Sequence, residues 1–244
     1  MNQYKTSATL KSLARGQLTG YYGKLIPILF LHFSSVIFLE GMIGSLFSST
    51  ALWSDIAYFI GMFVISIFSG LFVAAEHFIY LKVCCHYQVS VGDIFFGFVA
   101  TPDRFLKIQI ILTALNYICM LPYYASLRIL KDSDSRVLVT SLLLLAGTVV
   151  YMFIEFKYAL VFYLAIDFPK QTVRNLYSLS NEIMRGHKLK LFFINLSFFP
   201  LILLCFCSCG LGFLWVVPYM YATEANFYLD LMAQRNRNLN NTAE

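Results

Sequence analysis

Long apolar runs separated by short polar stretches dominate the pattern of this chain. A helix needs about 20 mostly apolar residues to cross the hydrocarbon core of a bilayer. The runs are continuous rather than alternating, which favours helices over the strands of a barrel. The pattern predicts an all-α, polytopic membrane bundle. Its six transmembrane helices are expected at about 25–43, 56–81, 106–127, 137–163, 190–209 and 211–232.

The two ends of the chain have a different pattern. Residues 1–24 lack the continuous apolar core of a cleavable signal peptide. Leu10, Leu13, Ala14 and Leu18 recur on one helical face, which predicts an amphipathic N-terminal helix. We expect this helix to lie on the anionic inner surface of a membrane, and a solvated tail is the alternative. Residues 233–244 are predicted to form a polar cytoplasmic tail.

The connections after the second and fourth predicted spans are long enough to have structure of their own. In the first connection, Asp93 is expected to cap a short apolar helix. In the second, Asp167 and Pro169 indicate a helix start, and Gly186 indicates a helix stop. Both segments are predicted to be amphipathic helices on the cytoplasmic surface. No linker divides the chain, so residues 25–232 are predicted to form one membrane domain.

Composition supports a lipid environment. Apolar residues make up 59% of the 244 residues and charged residues 13%, whereas soluble domains contain about 25% charged residues. A soluble protein of this size needs more polar surface to cover its core. The formal net charge of +5 is small and dispersed along the chain, which argues against a nucleic-acid partner.

The basic residues predict the orientation, because cytoplasmic loops carry an excess of Lys and Arg. One side of the predicted topology carries fourteen such residues and the other side three. The larger group is Lys5, Lys11, Arg15, Lys24, Lys82, Arg104, Lys107, Lys170, Arg174, Arg185, Lys188, Lys190, Arg235 and Arg237; the smaller is Arg128, Lys131 and Arg136. Both termini are therefore predicted to be cytoplasmic.

Several blocks of sequence occur in an order that resembles a bacterial integral membrane family, domain of unknown function 975. They are ATLKSLARGQLTGYYGK (8–24), GDIFFGF (92–98), MRGHK (184–188), LFFINLSF (191–198) and LGFLWVVPY running into FYLDL (211–231). The family usually has Asn where His187 stands, and a more acidic residue where Asn195 stands. The resemblance covers nearly the whole chain and implies a multi-pass protein of the bacterial inner membrane. It implies no particular activity.

Ionisable side chains within the predicted spans are candidate functional residues, because a charge in lipid costs several kcal/mol. We predict an intramembrane polar cluster in the cytoplasmic half of the bundle, formed by Glu76, His77, Glu155, Lys157, Glu224 and Asn226. Lys157 is two residues from Glu155 and projects away from it, so we expect Lys157 to pair with Glu224 or Glu76 across the bundle. Alternatively, Lys157 snorkels to the headgroups and the carboxyl groups are protonated or structurally bonded.

Two further features of the spans are weaker indications of function. His32 and Glu40 are eight residues apart, near one face of the first span, as in a proton or substrate path. Exposure of Glu40 at the outer interface is the simpler explanation. Pro218 is predicted to kink the sixth span, and kinked helices occur both at transport sites and in inert bundles.

Catalytic and metal-binding motifs are missing from the sequence. It has no phosphate-binding glycine loop and no nucleophile elbow, and Cys84, Cys85 and His86 lack the paired spacing of a zinc site. We therefore expect no catalysis, no metal and no cofactor. The favoured interpretation is a non-catalytic accessory or self-protection protein that binds a membrane-protein partner or forms a homodimer. The alternatives are a small transporter or permease component and an intramembrane enzyme.

Overall fold

The chain folds into a bundle of α-helices in a computed structural model that describes residues 4–47, 52–130 and 136–243. No strand occurs among these residues, so the predicted all-α fold is confirmed for them. The helices are α1 Ser7–Leu18, α2 Tyr22–Leu46, α3 Leu52–Cys84, α4 Phe96–Val99, α5 Pro102–Ile129, α6 Arg136–Tyr158, α7 Val161–Asp167, α8 Val173–Ile183, α9 Lys188–Leu196, α10 Phe199–Cys207 and α11 Phe213–Ala243. A 3-10 turn, Val91–Phe95, precedes α4.

Within these ranges, five helical stretches are long and apolar enough to cross a membrane. They coincide with the first five predicted spans and are Tyr22–Leu46, Trp53–Cys84, Pro102–Ile129, Arg136–Asp167 and Lys188–Cys207. Two of them contain an interruption, between α6 and α7 and between α9 and α10. By the length and composition of these helices, the protein is a multi-pass membrane protein.

The sixth predicted span lies in α11, which is not among these five stretches. Glu224, Asn226 and Asp230 interrupt the apolar sequence of α11, and the helix packs against α1, α2, α3 and α10. α11 also continues to Ala243, so the segment predicted as a polar tail is helical as far as that residue. A membrane crossing by α11 stays a prediction.

The bundle has two layers that differ in their surroundings. The core layer consists of residues 7–29, 71–109, 156–198 and 218–240, and the exposed layer of 30–46, 53–69, 110–129, 137–155 and 199–216. As far as the structure describes the chain, its contiguous hydrophobic core lies within the core layer. In α3, Trp53 is 79% exposed, whereas Ile79 is fully buried. Lipid contact suits the exposed layer, and close packing between helices stabilises the core layer.

α1 is part of the core layer. The Thr6 hydroxyl caps this helix by accepting a hydrogen bond from the backbone N–H of Thr9. Its apolar stripe of Leu10, Ala14 and Leu18 is fully buried, and α1 contacts α11 more than any other helix. The amphipathic pattern was therefore correctly recognised, but the stripe faces protein and not lipid. A position of α1 at the membrane surface stays a prediction.

The two predicted helices in the long connections are present, with starts that differ from those predicted. Ser90, and not Asp93, is the cap of the 3-10 turn, and the Asp93 carboxylate accepts a hydrogen bond from the Ser90 N–H. Thr172, and not Asp167, caps α8. The chain leaves α8 through Gly186 at a φ of 84°, which glycine adopts without strain, so the predicted stop is confirmed.

Close approach of backbones holds α4 and α5 against α3. A side chain at Gly97 in α4 would overlap the carbonyl oxygen of Leu71 in α3. A Cβ atom on Gly70 in α3 would likewise overlap the Gln109 side chain of α5. Glycine at these two positions therefore allows α3 to lie at the centre of the bundle, where it forms one wall of the site described next.

Candidate ligand cavity within the bundle

A cavity of about 490 Å³ lies where the core layer meets the exposed layer. Side chains from α3, α5, α6, α7, α9 and α11 line it, so most of the bundle contributes to its walls. Cavities of roughly 300–1,000 Å³ are the size that small ligands occupy in proteins. The lining combines several aromatic and apolar side chains with a few polar ones, which is the composition of a ligand site.

Two carboxylates, Glu155 from α6 and Glu224 from α11, line this cavity. Within the described part of the chain, neither carboxylate has a hydrogen-bond donor or a Lys, Arg or His partner. A carboxylate removed from water without a partner is costly, and two that face one cavity repel each other. The cavity is therefore suited to a positive charge.

His77 from α3 also lines this cavity. Its Nδ1–H donates to the carbonyl oxygen of Val73 at 2.7 Å, which leaves Nε2 as an acceptor in the neutral ring. The ring packs against Tyr163 at 4.5 Å and against Phe162 at 5.2 Å, measured between ring centroids. With Tyr221, these rings give the cavity and its surroundings an aromatic character. Faces of aromatic rings attract cations.

Glu76 belongs to a different contact, between α2 and α3. Its Oε1 lies 2.7 Å from Nδ1 of His32, and Nε2 of that histidine lies 3.2 Å from Oγ of Ser69. The pair is buried, and the His32 ring stacks on Phe72 at 5.1 Å. The partner of His32 is therefore Glu76 of α3, and Glu40 does not take part in this contact. The order carboxylate, imidazole, hydroxyl is also found in hydrolases, but Ser69 does not line the cavity.

Asn226 joins three helices on another side of α11. Its Nδ2 donates to Oε1 of Gln17 in α1 at 2.6 Å and to the carbonyl oxygen of Ala222 at 2.9 Å. The same nitrogen lies 3.3 Å from the sulfur of Cys84 in α3. Both N–H bonds of the amide are thus satisfied by protein. Asn226 holds α1 in place and lies outside the cavity lining.

Lys157 does not form the predicted ion pair. In the part of the chain that the structure describes, no salt bridge joins Lys157 to Glu224 or to Glu76. Its Nζ lies 4.9 Å from the ring centroid of the neighbouring Tyr158. The two carboxylates predicted as partners of Lys157 have different surroundings. Glu76 is bonded to His32, and Glu224 lines the cavity. The predicted cluster of six is therefore divided, and the cavity contains His77, Glu155 and Glu224.

Comparison with known protein families identifies the chain. A family model described as protein of unknown function (DUF975) matches residues 1–235. The chain belongs to the DUF975 family. Comparisons with curated proteins and with solved structures gave no match. The matched range includes every residue that lines the cavity.

Several residues of the site were not predicted from the sequence of this DUF975 protein. Tyr151 and Tyr221 line the cavity beside the carboxylates, and Asn195 lines it from α9. Tyr151 precedes Glu155 by four residues and Tyr221 precedes Glu224 by three, so each pair lies on one helical face. This spacing was a signal available in the sequence. No comparable signal indicated that α9 would bring Asn195 to the same place.

Proposed function

We propose that this protein binds a small organic ammonium ion in the cavity between α6 and α11 and acts as a permease or permease component. The observation that carries the proposal is that Glu155 and Glu224 line one cavity without a protein counter-ion among the described residues. An ammonium ion would supply the missing positive charge. Intramembrane carboxylates commonly mark substrate or ion pathways.

The walls of the cavity favour an organic cation over a bare metal ion. Aromatic rings such as Tyr151 and Tyr221 offer π faces to a cation, and these faces suit alkylated ammonium groups. Calcium requires about six to eight oxygen ligands, and magnesium an octahedral set. The described residues contain no group of three or more His, Cys, Asp or Glu side chains arranged to hold a metal ion. Two carboxylates and several rings fit an ammonium ion better.

The proposed arrangement in the membrane follows from the charges. We place the protein in a bacterial cytoplasmic membrane, with residues 211–232 as a sixth crossing and both termini in the cytoplasm. The concentration of Lys and Arg at the ends of α1, α3, α9 and α11 supports this orientation. In this arrangement α1 and α8 lie at the cytoplasmic surface, and the cavity lies at the C-terminal end of α6 and in the N-terminal half of α11.

The sequence favoured a partner-binding protein or a homodimer, and that interpretation stays a prediction, as does the expectation that the protein is not an enzyme. The cavity supports the permease alternative for a specific reason. A protein that serves only as a binding partner has no need of two unpaired carboxylates that line one cavity, because each costs free energy without a ligand. A permease with a cationic substrate needs them.

Binding of ammonium probes to the purified protein in lipid nanodiscs tests the proposal. The probes are butylammonium, tetramethylammonium and tetraethylammonium, and thermal stabilisation and calorimetry are the readouts. We expect saturable binding by the wild type. Glu224→Gln and Glu155→Gln should each weaken it by about tenfold or more, since a lost tenfold corresponds to about 1.4 kcal/mol. Glu182→Gln, which removes an exposed carboxylate of α8, is the matched control and should bind as the wild type does.

Uptake of the tightest-binding probe into proteoliposomes then tests transport. The wild type should accumulate the probe faster than empty liposomes, and Glu224→Gln should not. If none of the probes binds the wild type, and Glu224→Gln raises the thermal stability, the carboxylates are protonated structural groups and the proposal is wrong. Binding without uptake would support ammonium binding in the cavity and would exclude the proposed transport.

A further inference from the structure

Two basic side chains of α1 lie against aromatic rings of the neighbouring helices. The Nζ of Lys11 lies 3.9 Å from the ring centroid of Phe198, at the junction of α9 and α10. The guanidinium carbon of Arg15 lies 5.8 Å from the ring centroid of Tyr219 in α11, and its NH2 group lies 3.5 Å from the Tyr219 hydroxyl. The two cations are four residues apart, so they share one face of α1.

These two cations have no anionic partner among the residues that the structure describes. No salt bridge joins Lys11 or Arg15 to a carboxylate anywhere in the described ranges. Partial burial, together with the nearby charge of Arg15, lowers the pKa of Lys11. Holding two positive charges close together without a counter-ion costs free energy, and an anion between them would remove that cost.

The position of the pair within the bundle indicates which anion. Lys11 and Arg15 lie at the border of the core layer and the exposed layer, because Phe198 is the last residue before the exposed layer in α10. Large apolar side chains that are about half exposed continue from this border, namely Phe199, Leu203 and Trp215. A phospholipid matches this arrangement, because its charged headgroup is joined to apolar acyl chains.

We propose that Lys11 and Arg15 bind the phosphate group of an anionic phospholipid whose acyl chains lie along the exposed side chains of α10 and α11. The charge of the pair is complementary to the headgroup, and the apolar surface beside it is continuous with the lipid-facing layer. The lipid would hold α1 to the junction of α9 and α10 from outside, as Asn226 holds α1 to α3 from inside. This site is separate from the ammonium cavity and does not rest on the proposed function.

Lipid titration into the full-length protein in detergent tests the proposal. Phosphatidylglycerol is compared with phosphatidylcholine of the same acyl chains, and inorganic phosphate without lipid is a third arm. Native mass spectrometry counts retained lipids, and thermal denaturation gives the affinity. We expect phosphatidylglycerol to bind more tightly than phosphatidylcholine. Lys11→Gln and Arg15→Gln should each weaken binding by about fivefold, and the double variant by about thirtyfold, because each basic residue near an anionic lipid contributes about 1 kcal/mol.

Matched variants separate a specific site from general charge attraction. Lys170→Gln removes one exposed positive charge from the connection before α8 and should bind phosphatidylglycerol as the wild type does. Lys11→Arg keeps the charge and should retain most of the affinity, which guards against a loss caused by misfolding. The proposal is overturned if the double variant, folded by circular dichroism, binds phosphatidylglycerol as tightly as the wild type. It is also overturned if phosphatidylcholine binds equally well, or if inorganic phosphate alone gives the full stabilisation.

Discussion

The two layers of the bundle are built from the same helices but place their side chains in opposite surroundings. In α3, Ile60 is 60% exposed, whereas Ala74 and Val83, further along the same helix, are fully buried. An apolar side chain in the exposed layer gains little from neighbouring helices, because lipid tails are as apolar as those neighbours. In the core layer, packing between helices supplies the stabilisation. An apolar side chain is therefore expected to contribute more to stability in the core layer than in the exposed layer.

Hydrogen bonds differ between the layers in the same way. In the exposed layer, several hydroxyl groups donate to a carbonyl of the preceding turn in their own helix; these are Ser34, Thr140, Ser141 and Thr148. In the core layer, polar side chains join separate helices, as where the Tyr228 hydroxyl donates to Asp167 at 2.5 Å. Within the exposed layer, the ion pair of Asp55 with Arg128 and the contact of His32 with Ser69 are exceptions. A side chain facing lipid must be satisfied locally, because no water is available.

The two layers are expected to differ most in the free energy of unfolding that is lost when a leucine is replaced by alanine. Leu164→Ala opens a cavity in the core layer and should lower the free energy of unfolding by about 2–5 kcal/mol. Leu145→Ala, in the same membrane-spanning stretch, changes a side chain that is 62% exposed and should cost less than about 0.5 kcal/mol. Denaturation in mixed micelles measures both. Equal losses would show that the two layers do not differ in packing.

A smaller difference is expected for a glutamate replaced by glutamine. Glu76→Gln should lower the free energy of unfolding by about 1–3 kcal/mol, because Glu76 accepts from His32 in a buried contact. Glu40→Gln in α2 is the matched control, and it should have little effect. A double-mutant cycle with His32→Gln isolates the pairwise energy. If Glu76→Gln and Glu40→Gln lower the free energy of unfolding equally, the contact between α2 and α3 does not contribute as described.

The smallest expected effect is a dependence of stability on pH at the end of α9. Burial, and then the charge of Lys190, lowers the pKa of His187 below its usual value of 6.5, although Asp230 acts in the opposite direction. The unfolded chain therefore binds a proton first, and this contribution to stability declines as the pH falls below about 6.5. His187→Gln should reduce the difference in melting temperature between pH 7 and pH 5. An unchanged difference would exclude His187 as its source.

Sequence patterns predicted the helices well and their environment less well. The first predicted span, 25–43, lies within α2, and the alternation of apolar and polar residues in α1 and α8 was read correctly. The sequence could not indicate what covers these apolar faces, because an apolar stripe has the same period whether protein or lipid covers it. In α11, buried polar side chains such as Thr223, Asn226 and Asp230 lowered the apolar content of a helix that packs against several others. Composition alone does not separate these cases.

Pairing between helices was the part of the site that the sequence did not predict. Glu155 and Glu224 were identified as candidates because each is an acid in an apolar segment, and the structure brings both to one cavity. Lys157 was predicted to pair with Glu224 or Glu76, but Glu76 is bonded to His32 and Lys157 pairs with neither carboxylate among the described residues. Which residues meet depends on the rotation of each helix about its axis and on its shift along the axis. Neither quantity leaves a signal in the spacing of residues along one chain.

The uninterrupted length of α11 has a mechanical consequence. The helix has 31 residues and is therefore about 46 Å long. It carries Glu224 in the cavity wall, and near its far end Arg235 forms an ion pair with Glu182 of α8. Pro218 removes one backbone hydrogen bond and is a natural pivot. A tilt of about 5° there would shift Glu224 by less than about 1 Å and Leu239 by about 3 Å. A small displacement of α11 at the cavity would therefore become a larger one at the C-terminal end of this helix.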